Sequence, residues 1–112
     1  MLKICFVCLG NICRSPMAEF IMKNKIKDDN NYLVTSRATS YEEQGNDMYT
    51  PAKKKLDEKH IPYTKHIATR LEKEDYDKYD YFYCMEDNNI SNCLRIFGSD
   101  PDNKIKIHFY HF

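Results

Sequence analysis

The most constraining feature of the sequence is a short apolar run followed by a tight polar loop and a helix start. Residues 2–7 are almost continuously apolar and include β-branched side chains, as in a strand that is buried on both faces. Residues 8–15 contain one glycine and one asparagine and predict a loop. Ser15 and Pro16 then form a favourable helix start, with Ser15 as the N-cap. The chain therefore begins with a strand, a loop and a helix.

The rest of the sequence continues this alternation. Further strands are predicted over residues 32–36, 80–85 and 104–109. A second helix is predicted to start at Thr50-Pro51 in the same way as at Ser15-Pro16, and Asp87 is predicted to cap a third helix. The last helix has one apolar face and ends at Gly98; the face comprises Ile90, Cys93, Leu94 and Phe97. We therefore predict a single α/β domain over residues 1–112, with a four-stranded parallel sheet between helices on both faces.

Charge and cysteine content exclude several classes of protein. The chain of 112 residues has 17 basic and 17 acidic side chains, so no overall charge attracts nucleic acid or an acidic membrane. No apolar stretch approaches the length of about 20 residues that a membrane-spanning helix needs. Five cysteines are an odd number, and the N-terminus does not resemble a signal peptide, which together predict free thiols in the cytoplasm. No cysteine and histidine spacing indicates zinc, and we predict no cofactor.

The loop after the first strand is the predicted functional site. Its backbone N–H groups and the following helix N-terminus suit an anion such as phosphate or sulfate. Arg14 adds a planar cation that grips two phosphate oxygens, and this positive field favours the thiolate of Cys8. A thiolate that faces a bound phosphoryl group is a nucleophile. The predicted phosphate-binding residues are Leu9, Gly10, Asn11, Ile12, Cys13 and Arg14.

Three segments of the chain resemble the low-molecular-weight protein tyrosine phosphatases. They read CLGNICRSPMAE from Cys8, TSRAT from Thr35 and YCMEDNN from Tyr83, and the resemblance covers most of the chain. It implies a Rossmann-like phosphatase fold and an enzyme that hydrolyses protein phosphotyrosine or small aryl phosphates. The reaction would pass through a phosphocysteine intermediate on Cys8.

The resemblance also implies roles for residues around Cys8. Arg14 would bind the phosphate and stabilise the transition state, and Ser15 would hydrogen-bond the Cys8 thiolate. Cys13 would be the neighbouring thiol that forms a reversible disulfide with Cys8 under oxidants.

Further residues would support the loop or select the substrate. Asn11 would hold the loop in a strained shape, with hydrogen bonds to Ser36 and His66. Relatives that act on phosphoarginine carry Thr where this chain has Ile12, so Ile12 favours a phosphotyrosine-like substrate.

The C-terminal part of the sequence departs from the family pattern. The family's general acid is an Asp in an Asp-Pro-aromatic-aromatic loop after the last strand, whereas the only Asp-Pro here is Asp100-Pro101, before that strand. We therefore expect that the acid loop and the final helix are absent. An uncovered sheet face would then lead to a homodimer, a swapped partner or low stability.

Two other functions remain open at this point. The chain could be a truncated phosphate-binding module with poor turnover, because it has the predicted phosphate-binding loop but lacks the family's general acid. It could also be a thiol-based arsenate reductase in which Cys84 and Cys93 relay a disulfide from Cys8. Alternatively, Cys5, Cys84 and Cys93 have no chemical role and are small apolar residues of the core.

Overall fold

The computed structural model describes residues 1–108, and the sheet in it has four parallel strands. The strands are β1 (Leu2–Cys8), β2 (Tyr32–Ala38), β3 (Tyr81–Cys84) and β4 (Ile105–Ile107), and they lie in the order β2-β1-β3-β4. The helices are α1 (Arg14–Lys25), α2 (Thr50–Glu58) and α3 (Asp87–Phe97), with a 3₁₀ helix over Lys73–Lys78. The predicted α/β fold is confirmed. Phe109, in the predicted last strand, lies outside the described residues.

The two faces of the sheet bury different sets of side chains. Alternate residues of β1 point to opposite faces, so Ile4 and Phe6 pack with Ala18 of α1, whereas Cys5 and Val7 pack with Phe82 on the side of α3. Phe82 is fully buried, and burying a side chain of that size contributes roughly 1.5–3 kcal/mol. Because both faces of β1 are covered, its sequence is continuously apolar rather than alternating.

The second helix packs beside the first rather than on the sheet. Leu56 and Ala52 of α2 pack against Met17 and Phe20 of α1 in a third apolar cluster. Pro51 lies in the first turn of α2, where a missing N–H costs nothing. The start of α2 is thereby held close to the start of α1.

Four details of the predicted helices are wrong. Thr50 is the first residue of α2 rather than its cap, because the N-cap is Tyr49. Helix α1 begins at Arg14 after Cys13, and Ser15 is not its N-cap, because the Ser15 hydroxyl is engaged elsewhere. Helix α3 is capped by Glu86 rather than Asp87, since Glu86 and Asn89 exchange capping hydrogen bonds. Leu94 is 41% exposed and does not belong to the buried face.

The parallel topology decides which loops can meet. Cys8 ends β1 and Cys84 ends β3, and these two strands are neighbours, so the loops that follow them lie at the same edge of the sheet. In the strand register, Phe82 of β3 lies opposite Cys5 of β1 on one side and opposite Ile105, the first residue of β4, on the other. The residues before Ile105 therefore lie towards the opposite edge. No helix within residues 1–108 has the length and apolar character needed to cross a membrane.

Candidate active site

The loop after β1 is held in a defined shape by its own backbone and by the segment after β2. Asn11 has a φ of 58°, in the left-handed region that asparagine tolerates better than most residues. The Thr39 N–H donates to the Cys8 carbonyl (3.1 Å), and the Ser40 N–H donates to the Leu9 carbonyl (3.1 Å). The loop therefore curls at the carboxyl edge of the sheet with its first residues tied to the strand beside it.

Cys8, Ser15 and Asn11 form a chain of side-chain hydrogen bonds. The Asn11 amide nitrogen Nδ2 donates to Ser15 Oγ (2.9 Å), and Ser15 Oγ lies 2.9 Å from Cys8 Sγ. Because Ser15 Oγ accepts from Asn11, the Ser15 hydroxyl proton is available to the sulfur. The Asn11 backbone N–H also donates to Cys8 Sγ (3.3 Å). All three residues are buried, and two hydrogen-bond donors, the Ser15 hydroxyl and the Asn11 N–H, are aimed at one sulfur.

The other side of Asn11 is tied to the segment around His66. The Thr69 N–H donates to Asn11 Oδ1 (3.0 Å), and His66 Nε2 lies 2.7 Å from the Asn11 carbonyl oxygen. Since a carbonyl oxygen only accepts, Nε2 carries the proton. The predicted link between Asn11 and His66 is therefore present, and the fully buried Asn11 connects two chain segments to the nucleophile.

Asp47 positions the His66 segment in turn, which sequence reasoning missed. Its carboxylate accepts hydrogen bonds from Lys53 Nζ (2.6 Å) and from the backbone N–H groups of His66 (2.9 Å) and Met48 (2.7 Å). These donors, Lys53 first, hold the pKa of Asp47 well below its usual range. The sequence offers no local signal for this role, because the partners are up to 19 residues apart.

The predicted hydrogen bond between Asn11 and Ser36 is wrong. Ser36 Oγ instead donates to the buried carboxylate of Glu19 in α1 (2.6 Å), which also pairs with Lys23. A buried carboxylate is the stronger acceptor and would be destabilising without donors. Ser36 thus ties β2 to α1 beneath the loop rather than contacting Asn11.

Arg14 points across the loop towards the end of β3. Its Nη2 donates to the Met85 carbonyl (2.7 Å), and its Nη1 pairs with Glu86 Oε2 at 3.3 Å. The side chains of Arg14 and Glu86 are both about half exposed, at 47% and 50%. Glu86 was not predicted as a site residue. The signal for it is its position directly after the strand that neighbours β1.

The remaining loop residues form the floor and rim of a small cradle. Within residues 1–108, the backbone N–H groups of Gly10, Ile12 and Cys13 donate to no protein acceptor. Leu9 is half exposed at the rim, and a Cβ on Gly10 would lie 3.3 Å from Glu43 Cγ. Free N–H groups around a helix N-terminus suit an anion, as the sequence predicts.

The other cysteines differ from Cys8 in their surroundings. Burial and the neighbouring Cys8 raise the pKa of Cys13, which is partly exposed beside the loop. Cys84 and Cys93 lie 3.8 Å apart between their sulfurs and are fully buried, and their mutual hydrogen bond and burial raise the pKa of Cys84. They pack on the α3 side of the sheet, whereas Cys8 packs on the α1 side. This placement favours the core role of Cys84 and Cys93 over a relay with Cys8.

Asp100 lies at the opposite edge of the sheet and is used structurally. Its carboxylate accepts hydrogen bonds from Tyr76 Oη (2.6 Å) and from the N–H groups of Lys104 (2.8 Å) and Ile105 (3.1 Å). Burial alone would raise the pKa of Asp100, but these hydrogen bonds outweigh burial and lower it. A carboxyl group that stays ionised and faces away from Cys8 does not suit a general acid.

The site as a whole combines a hydrogen-bonded thiol, a group of free backbone donors and one guanidinium. Within the described part of the chain, no group of three or more His, Cys, Asp or Glu side chains is placed to hold a metal ion. Such an arrangement can hold an oxyanion against a sulfur nucleophile and form a covalent bond to it.

Comparisons with known proteins agree with this chemistry. The family model described as low molecular weight phosphotyrosine protein phosphatase matches residues 3–111. The chain is similar to the phosphatase of that name from Homo sapiens, with 39% identity over 108 residues, which cover 94% of this chain and 68% of the relative. It is 40% identical over 98 residues to the low molecular weight protein-tyrosine-phosphatase PtpA of Staphylococcus saprophyticus, covering 86% of this chain and 62% of the relative.

A solved structure shows the same likeness in three dimensions. The crystal structure of a low molecular weight protein tyrosine phosphatase from Streptococcus pyogenes matches with a TM-score of 0.89 at 38% identity. The match covers 96% of this chain and 71% of that chain.

Proposed function

The chain belongs to the low molecular weight phosphotyrosine protein phosphatase family and is a protein tyrosine phosphatase, and from this premise we propose that Cys8 is its nucleophile. The observation that carries the proposal is the buried hydrogen-bond chain from Asn11 through Ser15 to Cys8 Sγ. The sulfur that receives the hydrogen bonds of Ser15 and Asn11 thus lies at the mouth of the anion cradle.

The reaction would proceed in two displacements at phosphorus. In the first, the Cys8 thiolate attacks the phosphorus of an aryl phosphate, the P–O bond to the aryl group breaks, and a phosphocysteine forms. In the second, water attacks that phosphorus, the P–S bond breaks, and inorganic phosphate leaves. The free backbone N–H groups of Gly10, Ile12 and Cys13 and the Arg14 guanidinium would bind the non-bridging oxygens and stabilise the charge that the transition state spreads over them.

The guanidinium of Arg14 would be oriented by its partners at the end of β3. With Nη2 on the Met85 carbonyl and Nη1 on Glu86, the planar group is held across the loop rather than free in solvent. A positioned cation stabilises developing charge without reorganising during the reaction. Ser15 would donate its proton to the sulfur while it is a thiolate and when it becomes the leaving group of the second step.

We further propose that these 112 residues act without a general acid for the leaving group. The support is that the sequence has no Asp-Pro-aromatic motif and that Asp100 is committed to Tyr76 and to the turn before β4. General acid help is typically worth about 10²–10⁴-fold, and substrates with good leaving groups need it least. Aryl phosphates that release a stabilised phenolate would then be hydrolysed slowly, and phosphotyrosine peptides more slowly still.

The test compares leaving groups and a pair of cysteine variants. We expect slow hydrolysis of 4-nitrophenyl phosphate by the 112-residue chain, and turnover of a phosphotyrosine peptide that is lower by about 10²-fold or more. Cys8→Ser should abolish both, because a serine hydroxyl is a far weaker nucleophile than a thiolate. Cys5→Ala, a matched change three residues earlier in the same strand, should keep the activity of the folded fraction.

Each alternative outcome has a defined meaning. Equal high rates on both substrates would refute the missing acid. If the chain binds phosphate but shows no turnover that depends on Cys8, the proposed enzymatic function is refuted and a phosphate-binding module is supported. Reduction of arsenate that depends on Cys84 and Cys93 would favour the reductase.

The surroundings of the enzyme are also a matter of proposal. We propose a cytoplasmic protein, because all five cysteines are free and four are buried in the reduced form.

We also propose that the face of the sheet opposite α3 mediates a homodimer. No described helix covers β3 on that face, and Tyr81 and Tyr83 are only half-buried there. Light scattering should report twice the monomer mass, and a stable monomer at high concentration would refute the dimer.

A further inference from the structure

A groove with a volume of about 280 Å³ lies between the start of α1 and α2, directly beside the phosphate loop. Cys13 and Arg14 form the end that the groove shares with the loop, and Ala52 lies in its apolar part. Tyr49 and Lys55 of the α2 side complete the lining. The proposed catalytic steps do not use this groove.

The groove is fixed to the loop by a backbone hydrogen bond. The Tyr49 N–H donates to the Ile12 carbonyl (2.7 Å), and the Tyr49 side chain is 54% exposed. An extended peptide advances about 3.3–3.6 Å per residue. Because Cys13 and Arg14 belong to both the loop and the groove, a polypeptide whose phosphotyrosine lies in the loop has other residues within a few such steps of the groove. The groove therefore borders the place where a polypeptide substrate would bind.

The charge of the groove points to the kind of residue that it accepts. Lys55 is exposed and makes no ion pair with any residue of the range 1–108, whereas Lys53 on the same helix is paired with Asp47 at 2.6 Å. Arg14 also lines the loop end, but its guanidinium is engaged by Met85 and Glu86, so Lys55 is the cation that the groove leaves unpaired. The groove thus combines an apolar floor with an unpaired ammonium group, which complements an acidic side chain that has an apolar stem.

We propose that this groove is a substrate-specificity site that binds an acidic residue adjacent to the phosphotyrosine, and that Lys55 recognises its carboxylate. This inference rests on the proposed function, because it needs the phosphotyrosine in the loop. Lys55 is a specificity residue and not a catalytic one, since it lies outside the cradle around Cys8. Small aryl phosphates do not reach the groove, and Lys55 has no effect on their hydrolysis.

The experiment measures binding separately from turnover. Three fluorescent phosphotyrosine peptides carry Glu, Ala or Lys at the two residues on each side of the phosphotyrosine, and their binding to the Cys8→Ser chain is followed by anisotropy. We expect the Glu peptide to bind about three- to tenfold more tightly than the Ala peptide, as for an exposed to half-buried ion pair. The preference should shrink as salt is raised.

Two charge reversals on the same helix supply the matched comparison. Lys55→Glu should remove or invert the preference for the Glu peptide. Lys54→Glu makes the same change in net charge at the adjacent, exposed position, which does not line the groove, and should leave the preference within about twofold. Both variants should hydrolyse 4-nitrophenyl phosphate like the parent chain.

The outcomes separate this inference from the proposed function. Equal binding of the three peptides, or equal effects of Lys54→Glu and Lys55→Glu, overturns the specificity site even if 4-nitrophenyl phosphate is hydrolysed. An acidic preference that depends on Lys55 supports it even if no turnover is found. As a second measurement, the same peptides compete with 4-nitrophenyl phosphate on the chain with Cys8 intact, where the same order of affinities is expected.

Discussion

The two edges of the parallel sheet both carry compact polar clusters, but only one of them leaves a group free to react. At the carboxyl edge, Asn11 and Ser15 are buried and direct their donors at Cys8, whose sulfur borders the open cradle. At the amino edge, the Asp100 carboxylate accepts hydrogen bonds from Tyr76 and from the backbone of the turn before β4, and it is not free to react. In this molecule a dense polar network marks the reactive site only where its hydrogen bonds converge on a nucleophile.

Two asparagines with the same backbone strain allow a direct test of that difference. Asn11 at the carboxyl edge has a φ of 58°, and Asn103 at the amino edge has a φ of 52°. Asn11→Ala should lower the rate on 4-nitrophenyl phosphate by about 10- to 100-fold, because Ser15 and the His66 segment lose their buried connector. Steady-state kinetics on the folded variant would measure it.

Asn103→Ala is the matched control, because it also places an alanine at a positive φ, with a similar backbone strain, but at a position that does not contact Cys8. It should reduce stability to denaturant while keeping the rate of the folded enzyme within about twofold. Asn11→Gly separates the two effects at the site, since glycine relieves the strain but cannot replace the side chain. A glycine variant with parental activity would mean that only the backbone shape of the loop matters.

Removing the carboxylate at the amino edge should change stability rather than catalysis. Asp100→Asn weakens the hydrogen bonds to Tyr76 and to the β4 turn, and we expect a loss of about 1–2 kcal/mol in the free energy of unfolding. Urea denaturation at pH 7 measures it. Unchanged kcat/KM and an unchanged pH profile would agree with a structural role for Asp100. A loss that is larger for phosphotyrosine peptide than for 4-nitrophenyl phosphate would instead identify Asp100 as the general acid.

The smallest expected effect is the pH dependence of the difference in the free energy of unfolding between the parent chain and Asp100→Asn. The pKa of Asp100 is lower in the folded chain than the value of about 3.9 for an unfolded aspartate. Its stabilisation is therefore complete above about pH 5 and is lost as the pH falls through 3.9 towards the folded pKa. The gap between the parent chain and Asp100→Asn should narrow over that range in urea titrations. A gap that widens towards acid would contradict the assigned direction.

Local patterns in the sequence predicted much of this molecule. The apolar run before Cys8, the Ser-Pro helix start and the alternation of strands and helices are short-range signals, and they led to the observed order of elements. The link between Asn11 and His66 came from the resemblance rather than from any pattern, because the two residues are 55 positions apart. Leu94 shows the limit even for a periodic helix, since its spacing fits the buried face but its side chain is exposed.

The sequence by itself determined the loop chemistry, namely a cysteine, an arginine and a strand–loop–helix unit that presents backbone donors to an anion. Only the tertiary structure decided which distant groups hold these residues. It pairs Ser36 with Glu19 and brings Met85 to Arg14, and it places Lys55 beside the loop. The physical reason is that periodicity and turn chemistry act within a few residues. Hydrogen bonds between elements depend instead on strand register and helix packing, which form only when the whole core closes.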